Sequence, residues 1–236
     1  MKTGFKQKIF AVFASLIFII VIIACFFTNT SKARALSQVD TTLAEVERQA
    51  NASLDFDGQY YINGLPLALS SNPYDYVKSN PEFDKLIAMG ADAVAPLEEC
   101  LANGEKYSSF DRYIIAIAIE EITKVDFKQC EEYTWEDAES FMTSWEKAKS
   151  DVVKIVPEVL SDSTLNNEEK WAEIAKYGTL SIAPLQEVQQ KFSSKSNTEL
   201  YSDAVELAEV IENLLNTSDF ATITGIAKRT IAPPNE

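Results

Sequence analysis

Residues 83–90 read FDKLIAMG, and residues 171–178 read WAEIAKYG, the same pattern at an offset of 88 positions. VAPL at residues 94–97 and IAPL at residues 182–185 match at the same offset. Each copy predicts an amphipathic helix that ends at a glycine, the residue that most readily adopts the left-handed C-cap conformation. A second helix begins at once, with proline in its first turn, where a missing N–H costs little. The sequence therefore predicts two helical hairpins.

A third predicted helix follows each hairpin and extends the repeat. The loop before it is longer in the second copy, so the offset becomes 92 positions. The matched residues are Asp111, Ala116, Ile119, Glu120 and Ile122 in the first copy and Asp203, Ala208, Ile211, Glu212 and Leu214 in the second. Small residues in this helix let helices approach closely, and we therefore expect it to pack tightly across the second helix: Ala116 and Ala118 in the first copy, Ala204 and Ala208 in the second.

The repeated unit resembles the HEAT family of helical-hairpin repeats over about residues 80–124 and 167–215. MGADAVAPL at residues 89–97 is similar to that family's glycine followed by an apolar-Pro-Leu helix start. Asp111-Arg112 before an alanine-rich helix is similar to its next helix, whereas the second copy has Ala204 in place of the arginine. The family implies stacked hairpins that form a surface for a partner, and it implies no reaction.

A second resemblance lies just ahead of the repeat. NPYDYV at residues 72–77 is similar to a stretch of uncharacterised exported proteins of Gram-positive bacteria. This resemblance implies that the domain functions outside the cytoplasm.

The N-terminal segment predicts attachment to a membrane. Residues 9–27 are 19 consecutive residues without a charge, and Lys2, Lys6 and Lys8 precede them. A run of that length can cross a hydrocarbon core, and lysines ahead of it favour a cytoplasmic N-terminus. We therefore expect a bacterial cell-membrane protein with the bulk of its chain on the extracytoplasmic side.

Three fates of this segment remain open. It is an uncleaved single-span anchor, or a lipoprotein signal whose sequence IIAC makes Cys25 the lipidation candidate, or an ordinary signal cleaved after Ala35. Phe26 and Phe27 continue the apolar run past Cys25, which is unusual for a lipoprotein signal. Lys32 and Arg34 make the cleavage site poor. Anchor and lipoprotein are weighted equally, with cleavage third.

Composition excludes several classes of function. The chain of 236 residues has a formal net charge of −15, and without the three N-terminal lysines it has 18 basic and 36 acidic residues. Nucleic-acid binding usually needs a basic face, so no nucleic-acid partner is expected. The absence of histidine removes Ser-His-Asp triads, Cys-His dyads and histidine-based zinc sites. We expect no catalytic residues, cofactor or metal site.

Two cysteines of the exported part, Cys100 and Cys130, leave a structural question open. They pair only if the fold brings their Cα atoms within about 7 Å of each other. Two free thiols are at least as compatible with the sequence, since cysteine often acts as a small apolar core residue.

The whole chain is predicted to be mainly α. The predicted units are residues 1–28 (anchor or signal), 29–71 (stalk helix and β-hairpin), 72–150 (first HEAT-like unit with an extra helix), 151–217 (second HEAT-like unit) and 218–236 (tail). After the stalk or first helix at residues 36–53, further helices are predicted near residues 73–79, 81–89, 92–102, 110–124, 134–149, 152–160, 167–177, 180–192 and 198–215.

Local signals support these elements. Asn63-Gly64 between apolar runs predicts a β-hairpin, with Pro66 limiting its strand to an edge position. Asn72 and Asn80 each precede a proline as helix N-caps, Asn166 or Asn167 caps a later helix, and Thr134 begins a capping box. A stripe at three- and four-residue steps is interpreted as core-facing: Trp135, Ala138, Phe141, Met142 and Trp145.

The preferred function is a non-catalytic interaction module that binds a protein or an envelope component. Its possible interface is the tyrosine cluster Tyr60, Tyr61, Tyr74 and Tyr76, because tyrosine is enriched at interfaces. The alternatives are a carboxylate-based enzyme that acts on envelope glycans and a passive structural envelope protein. Adjacent acids occur at 98–99, 120–121, 131–132 and 168–169, but neighbours in a helix point in different directions, so none is a ready catalytic pair.

Overall fold

The computed structural model describes residues 30–52, 60–62, 64–78, 80–127 and 130–193. Within these ranges the chain is mainly helical, with eight helices and a two-stranded sheet. The helices are α1 (residues 30–52), α2 (Pro73–Val77), α3 (Pro81–Ile87), α4 (Val94–Ala102), α5 (Ser109–Thr123), α6 (Ala138–Ser161), α7 (Asn167–Ala175) and α8 (Ile182–Ser193). Short 3₁₀ turns lie at Leu67–Leu69, Gly90–Ala93, Glu131–Tyr133 and Gly178–Ser181. The predicted anchor or signal segment, residues 1–28, and the helix predicted at 198–215 lie outside the described residues.

Helix α1 packs against the domain along one side. Ala35, Val39, Leu43 and Val46 are buried at helical spacing, while the residues between them are mostly polar. The Thr42 hydroxyl donates to the Glu82 carbonyl oxygen at 3.0 Å, which fixes α1 against α3. The helix predicted at residues 36–53 as a stalk or first helix is confirmed. Because one side of it is buried against the domain, it is the first helix of the domain and not a free stalk.

A β-hairpin follows α1, as the Asn-Gly signal predicted. Strand β1 (Tyr61–Ile62) pairs antiparallel with β2 (Leu65–Pro66), in the register Ile62 opposite Leu65. Gly64 in the turn has a φ of 79°, a conformation that a side chain would strain. Each strand is only two residues long, so the hairpin depends on contacts with the helices.

The N-caps predicted from asparagine are confirmed at three helices. Asn72 accepts from the backbone N–H of Tyr74, and Asn80 accepts from the N–H groups of Glu82 and Phe83. At α7 the structure selects Asn166, which accepts from Glu169 N–H at 3.0 Å. These bonds satisfy N–H groups that have no partner within a helix.

The two matched stretches form the same succession of elements. A capped helix (α3 or α7) ends in a turn, a glycine has positive φ (62° at Gly90, 45° at Gly178), and a helix with proline at its third position follows (α4 or α8). In the first copy α5 then packs against α4. Assignment of this pattern to the HEAT family stays a prediction.

The prediction of two helices at 134–149 and 152–160 was wrong. One continuous helix of 24 residues, α6, replaces them and passes through position 150, where the two units were divided. No glycine or proline lies between these predicted helices, and buried Val152, Val156 and Leu160 continue the same face. Pro157 lies inside the helix, so the burial of this face offsets the lost backbone hydrogen bond.

The start of α6 also differs from the prediction. The N-cap is Asp137, in a capping box with Ser140, and the Thr134 box does not form. The stripe interpretation is confirmed at its centre, because Ala138, Phe141 and Trp145 are buried, while Trp135 and Met142 are half-buried against the same core.

Helix α5 is the central element of the core. Six consecutive residues, Ile114 to Ile119, are each at most 1% exposed, so the helix is buried on all sides over nearly two turns. It contacts α2, α3, α4 and α6. The alanines at 116 and 118 are completely buried, in agreement with the prediction of close helix approach.

The second copy meets the end of α5 through backbone contacts. A Cβ atom on Gly178 would lie 2.1 Å from the carbonyl oxygen of Thr123 and 2.6 Å from that of Lys124. Two residues before this glycine, the Lys176 carbonyl oxygen accepts from Asp126 N–H at 3.0 Å. Only glycine allows this approach, so position 178 determines how the turn after α7 sits on α5.

We predict that Gly178→Ala destabilises the protein far more than Gly90→Ala. Both changes place a side chain at positive φ, which costs about 1–2 kcal/mol. The Gly90 Cβ would meet nothing within 4 Å, whereas the Gly178 Cβ would collide with backbone atoms. We therefore expect a loss of about 1–2 kcal/mol at 90 and about 3–4 kcal/mol at 178. Urea unfolding of both variants measures this difference, and equal losses would contradict the close approach.

Candidate interaction surface

In the described part of the chain, two of the three exposed large apolar side chains lie on the hairpin and on the 3₁₀ turn that follows it. Leu65 is 60% exposed and Leu69 is 64% exposed, while Leu67 between them is buried and holds the segment to the core. The third such residue, Val153 on α6, is 52% exposed. We call Tyr60, Tyr61, Leu65 and Leu69 the hairpin surface.

The sequence around this surface carries no charge. From Gly58 to Tyr74 the chain has 17 residues without an acidic or basic side chain, although 24% of all residues are charged. The centres of binding interfaces are depleted in charge and enriched in aromatic residues. The hairpin surface therefore has the composition of an interface and differs from the acidic surface that the rest of the sequence predicts.

The four tyrosines predicted as an interface have different environments. Tyr60 and Tyr61 are half-buried on the hairpin, and Arg48 of α1 donates to the Tyr60 hydroxyl at 2.9 Å. Tyr76 is only 8% exposed and donates its hydroxyl to the Ser70 carbonyl oxygen, so it offers a partner little surface. Tyr74 is half-buried and its hydroxyl points at Glu120. Tyr60 and Tyr61 thus share the hairpin with the exposed leucines, whereas Tyr76 belongs to the core.

Glu120 is a buried carboxylate that the sequence did not single out as a site. It is 6% exposed and accepts from the Trp135 indole N–H at 3.0 Å and from the Tyr74 hydroxyl at 3.4 Å. The Tyr113 ring lies 4.6 Å from the Trp135 ring. Burial, followed by the charge of Glu120, raises the pKa of Tyr74, so this phenol stays neutral and donates. The cluster links α2, α5 and the segment before α6.

A second polar network joins α6 to the turn after α7. The Tyr133 hydroxyl donates to Asp151 at 3.0 Å, and Lys147 donates to the same carboxylate at 2.7 Å. Tyr177 packs on Tyr133, with the two ring centroids 5.8 Å apart and the rings nearly perpendicular. Tyr133 is fully buried, and this burial raises its pKa to about 12.

Cys100 and Cys130 are both free thiols. Cys100 is buried beside Tyr107, whose hydroxyl lies 3.4 Å from the sulfur, and burial raises the pKa of the thiol. Cys130 is half-buried, and burial raises its pKa as well. A raised pKa disfavours the reactive thiolate. The lipidation candidate, Cys25, lies outside the described residues.

The adjacent acids point to different partners. Glu98 accepts from the Trp145 indole and from Lys149, whereas Glu99 pairs with Lys32 of α1 at 2.6 Å. Glu132 pairs with Lys147.

Over the residues described, no group of three or more acidic or cysteine side chains is arranged to hold a metal ion. The same residues contain no helix long and apolar enough to cross a membrane.

Comparisons of the chain with protein-family models, with curated proteins and with solved structures found no match.

We predict that ionisation of Tyr133 lowers the free energy of unfolding at alkaline pH. The phenol ionises near pH 10 in the unfolded chain and near pH 12 in the folded one. The stability that the neutral Tyr133 phenol contributes is therefore fully present below pH 10 and is lost as the pH rises to 12. Each such group contributes a slope of up to about 1.4 kcal/mol per pH unit in this window.

The matched variant is Tyr133→Phe. It removes the hydroxyl bond to Asp151 and so begins from lower stability, but it also removes the ionisable group. We expect its unfolding free energy, measured in urea across this alkaline window, to fall less steeply than that of the unmodified protein. Parallel curves would show that Tyr133 does not titrate differently in the folded state.

Proposed function

We propose that this protein is a membrane-anchored, extracytoplasmic, non-catalytic interaction module that binds a protein or an envelope component. The observation that carries the proposal is the uncharged hairpin surface, where Leu65 and Leu69 are exposed beside Tyr60 and Tyr61. Large exposed apolar residues next to aromatic ones are typical of binding sites.

The helical part supports this proposal as a rigid scaffold. Central α5 is buried on all sides, and α6 runs 24 residues along the domain. The hairpin is attached to this scaffold through buried Leu67 and through the Arg48–Tyr60 hydrogen bond. A surface held in this way loses little conformational entropy on binding. Under the HEAT-like interpretation, the stacked hairpins are this scaffold.

The membrane anchor is part of the proposal and is supported by the sequence. Only two residues, 28 and 29, separate the uncharged run at residues 9–27 from the start of α1, so α1 would emerge directly from the bilayer. An uncleaved span and a lipid on Cys25 both place the domain at the membrane surface on the extracytoplasmic side.

The alternative is a carboxylate-based enzyme acting on envelope glycans. It requires two acids that face one another across a cleft. Glu98, Glu99 and Glu132 each pair with a lysine, which favours structural roles for them. A passive structural envelope protein is the third possibility, and it predicts no specific partner.

Site-specific photo-crosslinking in the native cell tests the proposal. A photoreactive amino acid is placed at position 65 or 69, and the matched control carries it at position 153, where the exposed valine lies on α6. We expect one dominant adduct from 65 and 69 that is absent from 153. Equal labelling at all three positions would contradict a specific interaction at the hairpin surface.

A substitution strengthens this experiment. Leu69→Asp puts a charge on a side chain that is 64% exposed, so the fold is retained while the surface becomes unfavourable for an apolar partner. We expect the adduct from position 65 to be lost in this variant and retained in the control variant Val153→Asp. Retention in both variants would contradict apolar recognition.

A further inference from the structure

We infer that the hairpin surface contacts the lipid surface of the bilayer that holds the protein, so that the domain lies along the membrane with α1 against it. This inference rests on the proposed membrane anchor and names the envelope component that the hairpin surface binds.

Charge is divided unequally along the chain. Residues 30–74, which contain α1 and the hairpin, have three basic and five acidic residues, whereas residues 75–236 have 15 basic and 31 acidic residues. A membrane with anionic lipids therefore repels the second segment far more strongly than the first. The uncharged stretch from Gly58 to Tyr74 is therefore the part of the exported chain that such a surface repels least.

Helix α1 is neutral in itself. Its three basic residues, Lys32, Arg34 and Arg48, balance its three acidic residues, Asp40, Glu45 and Glu47. It begins two residues after the apolar run, and the hairpin adjoins its other end through the contact between Arg48 and Tyr60. One neutral helix thus connects the anchor to the uncharged hairpin.

The length of α1 makes the orientation testable. Arg48 lies about 27 Å along the axis from the first residue of α1, at about 1.5 Å per residue. If α1 stood upright on the bilayer, Leu65 and Leu69 would be held far from the lipid. If α1 lies along the surface with the hairpin surface turned toward the lipid, both leucines reach the interfacial region, where tyrosine also partitions favourably.

The test uses the full chain reconstituted in vesicles of phosphatidylglycerol and phosphatidylcholine in equal parts. An environment-sensitive fluorescent amino acid replaces Leu65, Leu69 or, as the matched control, Val153, all of which are more than half exposed. Spin-labelled lipid serves as the quencher. We expect a blue shift and several-fold stronger quenching at 65 and 69 than at 153, and Leu69→Asp should remove both effects at 65.

Each outcome separates this inference from the proposed function. Equal emission and quenching at 65 and 153, in vesicles that carry the chain on flotation, would overturn the lipid contact and leave the anchor intact. A protein adduct in cells without quenching in vesicles would likewise overturn it and would support a protein partner. Failure of the chain to float with the vesicles would overturn both the anchor and the lipid contact.

Discussion

The arrangement of this domain depends on the contact between the backbone at Gly178 and the carbonyl end of α5. A Cβ at that position would lie 2.1 Å from the Thr123 oxygen, so the turn after α7 can rest on α5 only because residue 178 has no side chain. The neighbouring hydrogen bond from Asp126 N–H to the Lys176 carbonyl oxygen fixes the same junction. Tyr177, which lies between Lys176 and Gly178, packs its ring against that of Tyr133. One small residue thereby joins the second copy to the first.

The equivalent glycine in the first copy shows that local pattern and tertiary role are separate. Gly90 has positive φ like Gly178, but a Cβ there would meet nothing within 4 Å. The sequence predicts both glycines as helix C-caps for the same reason, the left-handed conformation. It cannot distinguish them, because the close approach at Gly178 arises from residues 54 and 55 positions earlier in the chain. Contacts between distant segments are the part of this fold that sequence periodicity does not contain.

Local signals predicted most of the described helices, the hairpin and the asparagine caps, because each depends on neighbouring residues. The predicted break at residues 150–151 was wrong because it divided an apolar stripe that continues without interruption along α6. The predicted Thr134 cap was wrong because Asp137, three residues later, caps the helix. Tyr76 was assigned to a surface, whereas its ring packs against Phe110 at 4.9 Å. Burial of a tyrosine depends on which helices surround it. The exposure of Leu65 and Leu69 had no signal in the sequence for the same reason.

The polar chemistry of the domain is used to connect helices. Glu120 receives an indole and a phenol from two other segments, and Asp151 receives Tyr133 and Lys147. Glu120 holds two neutral donors in the packed interior, and these hydrogen bonds offset its desolvation and fix its position. Asp151 is half-buried and pairs with a cation as well as with a phenol. Both acids are engaged in contacts between helices. The surface feature that differs chemically from the rest of the chain is the uncharged sequence around the hairpin. The function proposed for the domain therefore rests on the exposed side chains of the hairpin surface.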